Sequence, residues 1–249
     1  MTEQQADSFA AAHALLAELI EGDYRNRTED PDDPSTVQAM QLALNLPKQD
    51  PPARNQVLTD AARAVVAVCL DERAGSEGFW REHLAAWYSH RIRKVARRAR
   101  NKAWDNVQVL PGVTVGTARA FVPSATNEVP PAIAKLQIKG TELEDSTTTP
   151  IVTEGPLLLI DASLTMSLGK AAAQVGHASM LYAAALPLEK ARAWAKTGFV
   201  LSVREVDPEA FAKCSGHPNA VVVRDAGYTE VAPGSVTVVA LPPGTAPIS

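Results

Sequence analysis

The stretch Met166-Ser-Leu-Gly-Lys-Ala-Ala-Ala-Gln-Val-Gly-His-Ala178 decides the fold of the second half of the chain. It predicts a helix of unusually small residues, at about 169–186, that can approach a neighbouring sheet closely. The polar residues Lys170, Gln174 and His177 interrupt this run at positions i, i+4 and i+7. Residues with that spacing lie on one face of a helix, so the three side chains share a surface.

Short hydrophobic runs on either side of this helix predict four β-strands, at 157–160, 199–203, 220–223 and 236–240. Asp207-Pro208 suits the cap and first turn of a short helix between the second and third of them. Strands that alternate with helices indicate a three-layer α/β domain around a four-stranded mixed sheet. We place this domain at residues 155–249.

A second stretch, Arg224-Asp-Ala-Gly-Tyr-Thr-Glu-Val-Ala-Pro-Gly-Ser-Val-Thr237, joins the last two predicted strands. Asp225 directly follows a strand, and functional residues gather at the carboxyl ends of strands in open α/β sheets. Asp-Ala-Gly also makes an ordinary turn, because Asp caps its own backbone and Gly227 tolerates positive φ. Both interpretations of Asp225 stay open. Pro233-Gly234 predicts a type II turn.

The first half of the chain, residues 1–145, is predicted to be a mainly helical region. Its longest predicted helix, at 77–104, carries an apolar stripe with helical spacing. This stripe consists of Leu84, Tyr88, Ile92, Val95 and Ala99. The stretch that follows the helix contains only short β-like pieces and leads into a linker at 140–156. We see no internal repeat in the sequence. The other predicted helices are 9–20, 35–46 and 56–72, and the β-like pieces are 107–110, 113–115 and 120–122.

The composition excludes several classes of protein. The two cysteines, Cys69 and Cys214, have no zinc-ligand or CxxC spacing, so a disulfide framework or structural zinc is not expected. The acidic N-terminus argues against a secretory signal, and no apolar run is long enough to span a bilayer. We therefore expect a cytoplasmic protein without a membrane segment. A phosphate-binding Walker A loop is excluded because Ala171 follows Lys170 where Ser or Thr is required.

Charge is distributed unevenly along a chain of formal net charge −4. Residues 1–50 hold 3 Lys or Arg against 10 Asp or Glu, whereas residues 51–110 hold 11 against 6. Seven of these cations fall within 90–102, on the side of the predicted helix opposite its apolar stripe. Such a run is either a solvated helix face or a contact surface for RNA phosphates. For RNA contact, the candidates are Arg93, Arg97 and Arg100.

Together the two quoted stretches resemble the signature blocks of the type II peptidyl-tRNA hydrolase family, over about residues 155–243. Members of this family cleave the ester that joins a peptide to the 3′ end of tRNA. The resemblance implies peptidyl-tRNA as the partner, no metal and no cofactor, and it leaves a homodimer possible. It implies catalytic roles for Lys170, Asp225 and Thr229. It also brings Gln174, His177 and Thr237 into the substrate-binding set, although a half-buried core histidine equally explains His177.

The chemical roles follow from residue type. Asp225 can orient or deprotonate the attacking water. Lys170 lies in the first turn of its helix, where a cation opposes the helix dipole, and it can stabilise negative charge on the ester carbonyl. Thr229 can position the water or the ribose hydroxyl. The sequence departs from the family pattern at Thr165, Leu168 and Tyr228, where members usually carry basic residues.

Three functions stay open on the sequence. The first is hydrolysis of peptidyl-tRNA, with residues 1–145 as an RNA-binding or regulatory region. The second is a tRNA-binding adaptor without turnover, and the third is a tRNA-dependent deacylase or acyl-transfer enzyme on the same fold. The same stabilisation of charge serves any attack on that ester, so the sequence does not separate the first function from the third.

Overall fold

The computed structural model describes residues 3–21, 29–30, 32–140, 142–143, 151–227 and 229–245, and the side chains of the first helix over 7–19. Within these ranges the chain forms two units, each built on its own β-sheet, and one hydrophobic core joins them. The α/β class is confirmed. The predicted helix at 9–20 is also confirmed, whereas residues 141 and 144–150 of the predicted linker lie outside the described residues.

The N-terminal unit has more residues in helices than in strands, as predicted, but its strands assemble into a five-stranded sheet. The strand order is β2-β1-β4-β3, and β5 pairs with one end of β1. Its elements are α1 (Glu3–Glu21), β1 (Gln38–Asn45), α2 (Arg54–Cys69), α3 (Phe79–Tyr88), β2 (Lys94–Ala99), α4 (Lys102–Val107), β3 (Gly112–Val115), β4 (Ala118–Phe121), β5 (Ser124–Ala125) and α5 (Pro131–Ala134).

The C-terminal unit contains the predicted four-stranded mixed sheet, in the order β7-β6-β9-β8. β6 pairs with β7 in parallel and with β9 antiparallel, and β8 pairs with β9 antiparallel. Its elements are β6 (Leu157–Asp161), α6 (Leu168–Ala185), α7 (Leu188–Lys196), β7 (Ser202–Val206), α8 (Pro208–Ser215), β8 (Val221–Arg224) and β9 (Val236–Leu241).

Three predictions for the N-terminal unit are wrong. The predicted helix at 35–46 is strand β1, whose central residues are buried on both faces, so its apolar run shows no alternation. The predicted long helix at 77–104 ends at Tyr88, and its basic part is strand β2. The predicted strand at 107–110 is the end of α4 and the turn that follows it. The short strands near 113–115 and 120–122 are confirmed.

The two units have the same topology, which amounts to an internal repeat that the sequence does not reveal. The elements from β1 to β4 follow the order strand, helix, helix, strand, helix, strand, strand, and those from β6 to β9 follow it again. The registers also agree. Leu42 pairs with Ala120 at the centre of the first sheet, and Leu158 pairs with Ala240 at the centre of the second. All four side chains are fully buried in the shared core.

Helices α2 and α6 pack against each other between the two sheets and hold the units together. The small residues of α6 permit this approach. A Cβ atom on Gly176 would lie 2.7 Å from Cγ2 of Val65, so only glycine fits there without a shift. The Ser179 hydroxyl donates to the Ala62 carbonyl across the same contact, at 2.7 Å. The small residues therefore serve contact with a second helix, as well as the predicted contact with a sheet.

The outer faces of both sheets are also covered. A small cluster that includes Ala43 and Ile133 packs α4 and α5 against the first sheet, and one that includes Leu159 and Phe211 packs α8 against the second. The C-terminal sheet therefore lies between α6 and α8, in the three layers predicted. This arrangement leaves the ends of β6 and β8, and the start of α6, at one edge of the unit.

Candidate active site

Lys170 is held at the start of α6 by the cap of that helix. The Ser167 hydroxyl accepts the Lys170 backbone N–H at 3.2 Å, which is the usual N-cap arrangement. The Lys170 side chain is only 10% exposed, and its Nζ donates to Asp225 Oδ2 at 2.6 Å and to Thr229 Oγ1 at 3.2 Å. The structure thus brings together the three residues predicted to be catalytic.

Asp225 forms the turn that its sequence context predicted and also contacts Lys170. It forms the predicted turn, because its Oδ1 accepts the Gly227 N–H at 2.8 Å and Gly227 has φ of +80°. Its other carboxylate oxygen faces Lys170. The backbone of the loop is closed by two further bonds, from Asp225 N–H to the Ser235 carbonyl and from Gly234 N–H to the Asp225 carbonyl. The turn therefore fixes the direction of the carboxylate.

The type II turn at Pro233-Gly234 is confirmed. Gly234 has φ of +80°, and the Ser235 N–H donates to the Ala232 carbonyl at 3.2 Å. This turn returns the chain from the loop at 225–235 to strand β9. Tyr228, within the same loop, lies outside the described residues.

Gln174 links the carboxylate to the sheet. Its Nε2 donates to Asp225 Oδ2 at 2.8 Å, and its Oε1 accepts the Thr237 hydroxyl at 2.6 Å. Gln174 is 7% exposed and Thr237 is fully buried. The Asp225 carboxylate only accepts hydrogen bonds, so the NH2 end of the amide faces it and the amide oxygen is left to accept from Thr237. The two side chains therefore orient Asp225, and Gln174 also lines a cavity; their binding of substrate stays a prediction.

Two residues that the sequence reasoning missed anchor the loop to the helix. The Glu230 carboxylate accepts both the backbone N–H and the hydroxyl of Ser167, each at 2.8 Å. Glu230 adopts a left-handed backbone conformation, with φ of +49°. A negative side chain at a helix N-terminus is favoured by the helix dipole. The only sequence signal was the serine placed just before the predicted helix, which is typical of an N-cap.

A cavity of about 860 Å³ opens over these groups. One wall comes from the C-terminal unit and includes Lys170, Asp225 and Thr229. The opposite wall comes from the N-terminal unit, from residues 91–96, which include the first half of β2, and from 138–140 and 142. The site is therefore built between the two units. An apolar floor with a few polar groups is typical of ligand-binding cavities.

The remaining predicted residues divide between the cavity and the rest of the molecule. His177 is half-buried and lines the cavity, and Arg93 lines it from the other side. Arg97 is not among the lining residues, because its guanidinium donates to Gln41 Oε1 and to the Leu136 carbonyl. Arg100 is not among them either. The basic segment is thus a strand that presents only part of its charge to the site.

Lys94 belongs to the same wall but directs its ammonium away from the cavity. Its Nζ is buried and lies 5.1 Å from the centre of the Trp87 ring, in the shared core. Burial lowers the pKa of Lys94 to about 7, since the charged form loses its hydration there. The neighbouring Cys69 thiol has its pKa raised to about 11, also by burial. Lys94 therefore contributes its aliphatic chain to the cavity.

Within the described ranges, no group of three or more His, Cys, Asp or Glu side chains is placed to hold a metal ion. Of the helices in the same ranges, none is long and apolar enough to cross a membrane.

The arrangement suits attack of water on an ester. A carboxylate lies beside an ammonium group and a hydroxyl at the rim of a partly apolar cavity, so a general base and a charge-stabilising donor share one site. The pair is shielded, because both side chains are 10% exposed, and electrostatic interactions are stronger in such surroundings than in water.

Comparison with known proteins supports the same conclusion for the C-terminal unit. Residues 156–248 match the family model described as Peptidyl-tRNA hydrolase PTH2. The match confirms the family resemblance predicted for this part of the chain. No solved structure matches the chain significantly.

Proposed function

We propose that the protein hydrolyses the ester bond of peptidyl-tRNA, releasing the peptide and tRNA. The observation that carries the proposal is the contact of Lys170 Nζ with both Asp225 and Thr229 at a cavity, within the segment that matches a peptidyl-tRNA hydrolase family model. The match to that family model supports hydrolysis of peptidyl-tRNA as the activity of the C-terminal unit.

In this proposal Asp225 orients a water molecule and takes its proton as the water attacks the ester carbonyl. The bond from the acyl carbon to the ribose 3′ oxygen then breaks, and that oxygen receives the proton from Asp225 as it leaves. Lys170 lies 2.6 Å from that carboxylate, so its ammonium is next to the carbonyl oxygen that becomes negative. Thr229 places its hydroxyl against the same ammonium and orients the water or the ribose hydroxyl. Gln174 and Thr237 hold Asp225 in position, and Gln174 also faces the substrate from the wall of the cavity.

In this proposal the two walls of the cavity bind different parts of the substrate. The 3′-terminal ribose and the acyl carbonyl lie at the C-terminal wall, where the reactive groups are. The acyl side chain lies along the apolar residues of the opposite wall, such as Ile92 and Val95. We propose tRNA as the only macromolecular partner that the chemistry requires, and the homodimer and the cytoplasmic location stay predictions.

The test is a comparison of three substrates with the purified protein. We expect N-acetyl-aminoacyl-tRNA to be hydrolysed, with EDTA in the buffer causing no loss of rate. Faster hydrolysis of free aminoacyl-tRNA would identify a deacylase, and transfer of the acyl group to an added amine would identify an acyl-transfer enzyme. Binding of tRNA without turnover above a denatured-protein control would make the protein an adaptor and refute the proposal.

A further inference from the structure

The repeated topology places a counterpart of the active site in the N-terminal unit. Gln174 and Asp60 both lie seven residues after the N-cap of their helices, Ser167 and Ala53. Each accepts a hydrogen bond from a threonine that precedes a buried strand residue. Thr237 donates to Gln174 at 2.6 Å, and Thr117 donates to Asp60 at 2.8 Å.

The counterpart lacks the reactive groups. Gln56 stands three residues after its N-cap, the position of Lys170 in the other unit, and its amide donates to Asp60 Oδ1 at 2.9 Å. Strands β3 and β4 are joined by Gly116 and Thr117 alone, so the loop that carries Asp225 and Thr229 in the C-terminal unit has no equivalent. A Cβ atom on Gly116 would lie 2.3 Å from Asp60 Oδ2, so the turn is closed tightly on that carboxylate.

The N-terminal unit nevertheless contributes to the active cavity. Three cationic side chains, Arg91, Arg93 and Lys139, line the wall that faces Lys170 and Asp225. Arg93 already binds an anion, because its guanidinium forms an ion pair with the carboxylate of Glu29, which comes from the acidic segment before β1. The second carboxylate oxygen of Glu29 is buried without a hydrogen-bond partner. Arg93 on this wall thus pairs with a buried acidic group that is not itself among the lining residues.

We propose that the N-terminal unit is a second copy of the same fold without the reactive groups of the C-terminal unit, and that it provides the phosphate-binding wall of the active site. Its ligand is the phosphate backbone of the tRNA acceptor end, next to the ester. The inference rests on the proposed function for the identity of the ester, and it goes beyond that function because it assigns substrate binding to a unit that the family match does not cover. The Glu29 carboxylate neutralises Arg93 and so lowers the positive charge that this wall offers to phosphate.

The test combines variants of the wall with two esters. Arg91→Gln/Arg93→Gln removes two charges from the cavity, and Lys102→Gln/Lys135→Gln removes two exposed charges from the same unit outside it. The esters are N-acetyl-aminoacyl-tRNA and N-acetyl-aminoacyl-adenosine, which has no phosphate. Circular dichroism melts establish that each variant is folded.

For the tRNA ester we expect the cavity variant to raise KM about tenfold and to reduce the slope of log KM against log salt by about 0.7–0.9 for each lost contact. Its kcat should stay near the wild-type value, because contacts made equally in the ground and transition states do not change it. KM for the adenosine ester should not change, nor should either KM in the control variant. Glu29→Gln should act in the opposite sense and lower KM for the tRNA ester.

Equal KM values for the tRNA ester in wild-type protein and the cavity variant would overturn the inference, and so would an equal rise with both esters. If wild-type protein hydrolyses neither ester, the proposed function fails, and the wall is tested by fluorescence anisotropy with deacylated tRNA. Weaker binding by the cavity variant than by the control would then support the wall, and equal binding would refute it.

Discussion

Substitution of Glu230 by glycine separates the stability of the active-site loop from its function. Glu230 has φ of +49°, a conformation that costs a non-glycine residue about 1–2 kcal/mol. Its carboxylate accepts two hydrogen bonds from Ser167. Because this carboxylate is exposed, each bond contributes only about 0.5–1 kcal/mol to the stability of the fold.

The relief of strain in Glu230→Gly therefore offsets most of the lost hydrogen bonding, and we expect a free energy of unfolding within about 1 kcal/mol of wild type. Glu230→Ala keeps the strain and loses the contacts, so it should be less stable by about 1–2 kcal/mol. Both variants release the neighbouring Thr229 from its position against Lys170. A displacement of about 1 Å at a catalytic group can cost about 10²-fold in rate, and we expect kcat to fall about 10- to 100-fold in both, with little change in KM.

Urea unfolding and steady-state hydrolysis of N-acetyl-aminoacyl-tRNA measure the two effects. Glu230→Gln keeps one acceptor oxygen for Ser167 and should recover part of the rate. Asp50→Gly is the matched control, since Asp50 also has φ of +49° but lies in an exposed loop away from the cavity. A wild-type kcat in Glu230→Gly would refute the positioning role of Glu230. The role would also be refuted if, across the three Glu230 variants, kcat fell in proportion to the free energy of unfolding.

Three further outcomes are expected from the contacts. The folded-state pKa of Lys94, about 7, is below its unfolded value of about 10.5, so the unfolded state binds more protons and stability should rise with pH between these values. From pH 7 to 8.5 the wild type should gain about 1.5 kcal/mol relative to Lys94→Met in urea unfolding, and parallel curves would contradict the burial of the ammonium. Arg54 and Glu205 form a buried ion pair, and Arg54→Met leaves the Glu205 carboxylate without its partner. Thermal and urea unfolding should show a loss of stability of about 3–5 kcal/mol, which the double variant Arg54→Met/Glu205→Leu should largely restore. Thr237→Val removes the hydroxyl that orients Gln174, so kcat should fall, whereas Thr237→Ser keeps the hydroxyl and should keep kcat. Equal rates in the two variants would exclude this orienting role.

The C-terminal unit was predictable because its pattern is local. Short apolar runs alternate with helices, of which the longest is α6, and Ser, Gly and Pro lie near the ends of several elements. The contact of Lys170 with Asp225 could be anticipated only from the family resemblance, because the two residues are 55 positions apart and no spacing rule relates them. The exposed anchor Glu230 carried no signal of its own, since its partner Ser167 is 63 positions away and no spacing rule relates the two.

The N-terminal unit was less predictable for two physical reasons. Strand β1 is buried on both faces, and such an apolar run cannot be distinguished from a buried helix by periodicity. Ile92, Val95 and Ala99 continue the helical spacing past Tyr88 in the sequence, although strand β2 buries Ala96 and Ala99 and leaves Val95 only partly buried. The repeat was hidden because the two units share strand order and register rather than residues, as Gln56 and Lys170 illustrate.

Hydrolysis of N-acetyl-aminoacyl-tRNA by Asp225→Asn, in single turnover with enzyme in excess, tests the proposed chemistry most directly. The substitution keeps the shape of the side chain but removes the group that accepts a proton and pairs with Lys170. We predict a rate about 10²–10³-fold below wild type, with tRNA affinity retained, because loss of one preorganised catalytic group costs about that much. A folded Asp225→Asn protein that hydrolyses the ester at the wild-type rate would contradict the assignment of this site.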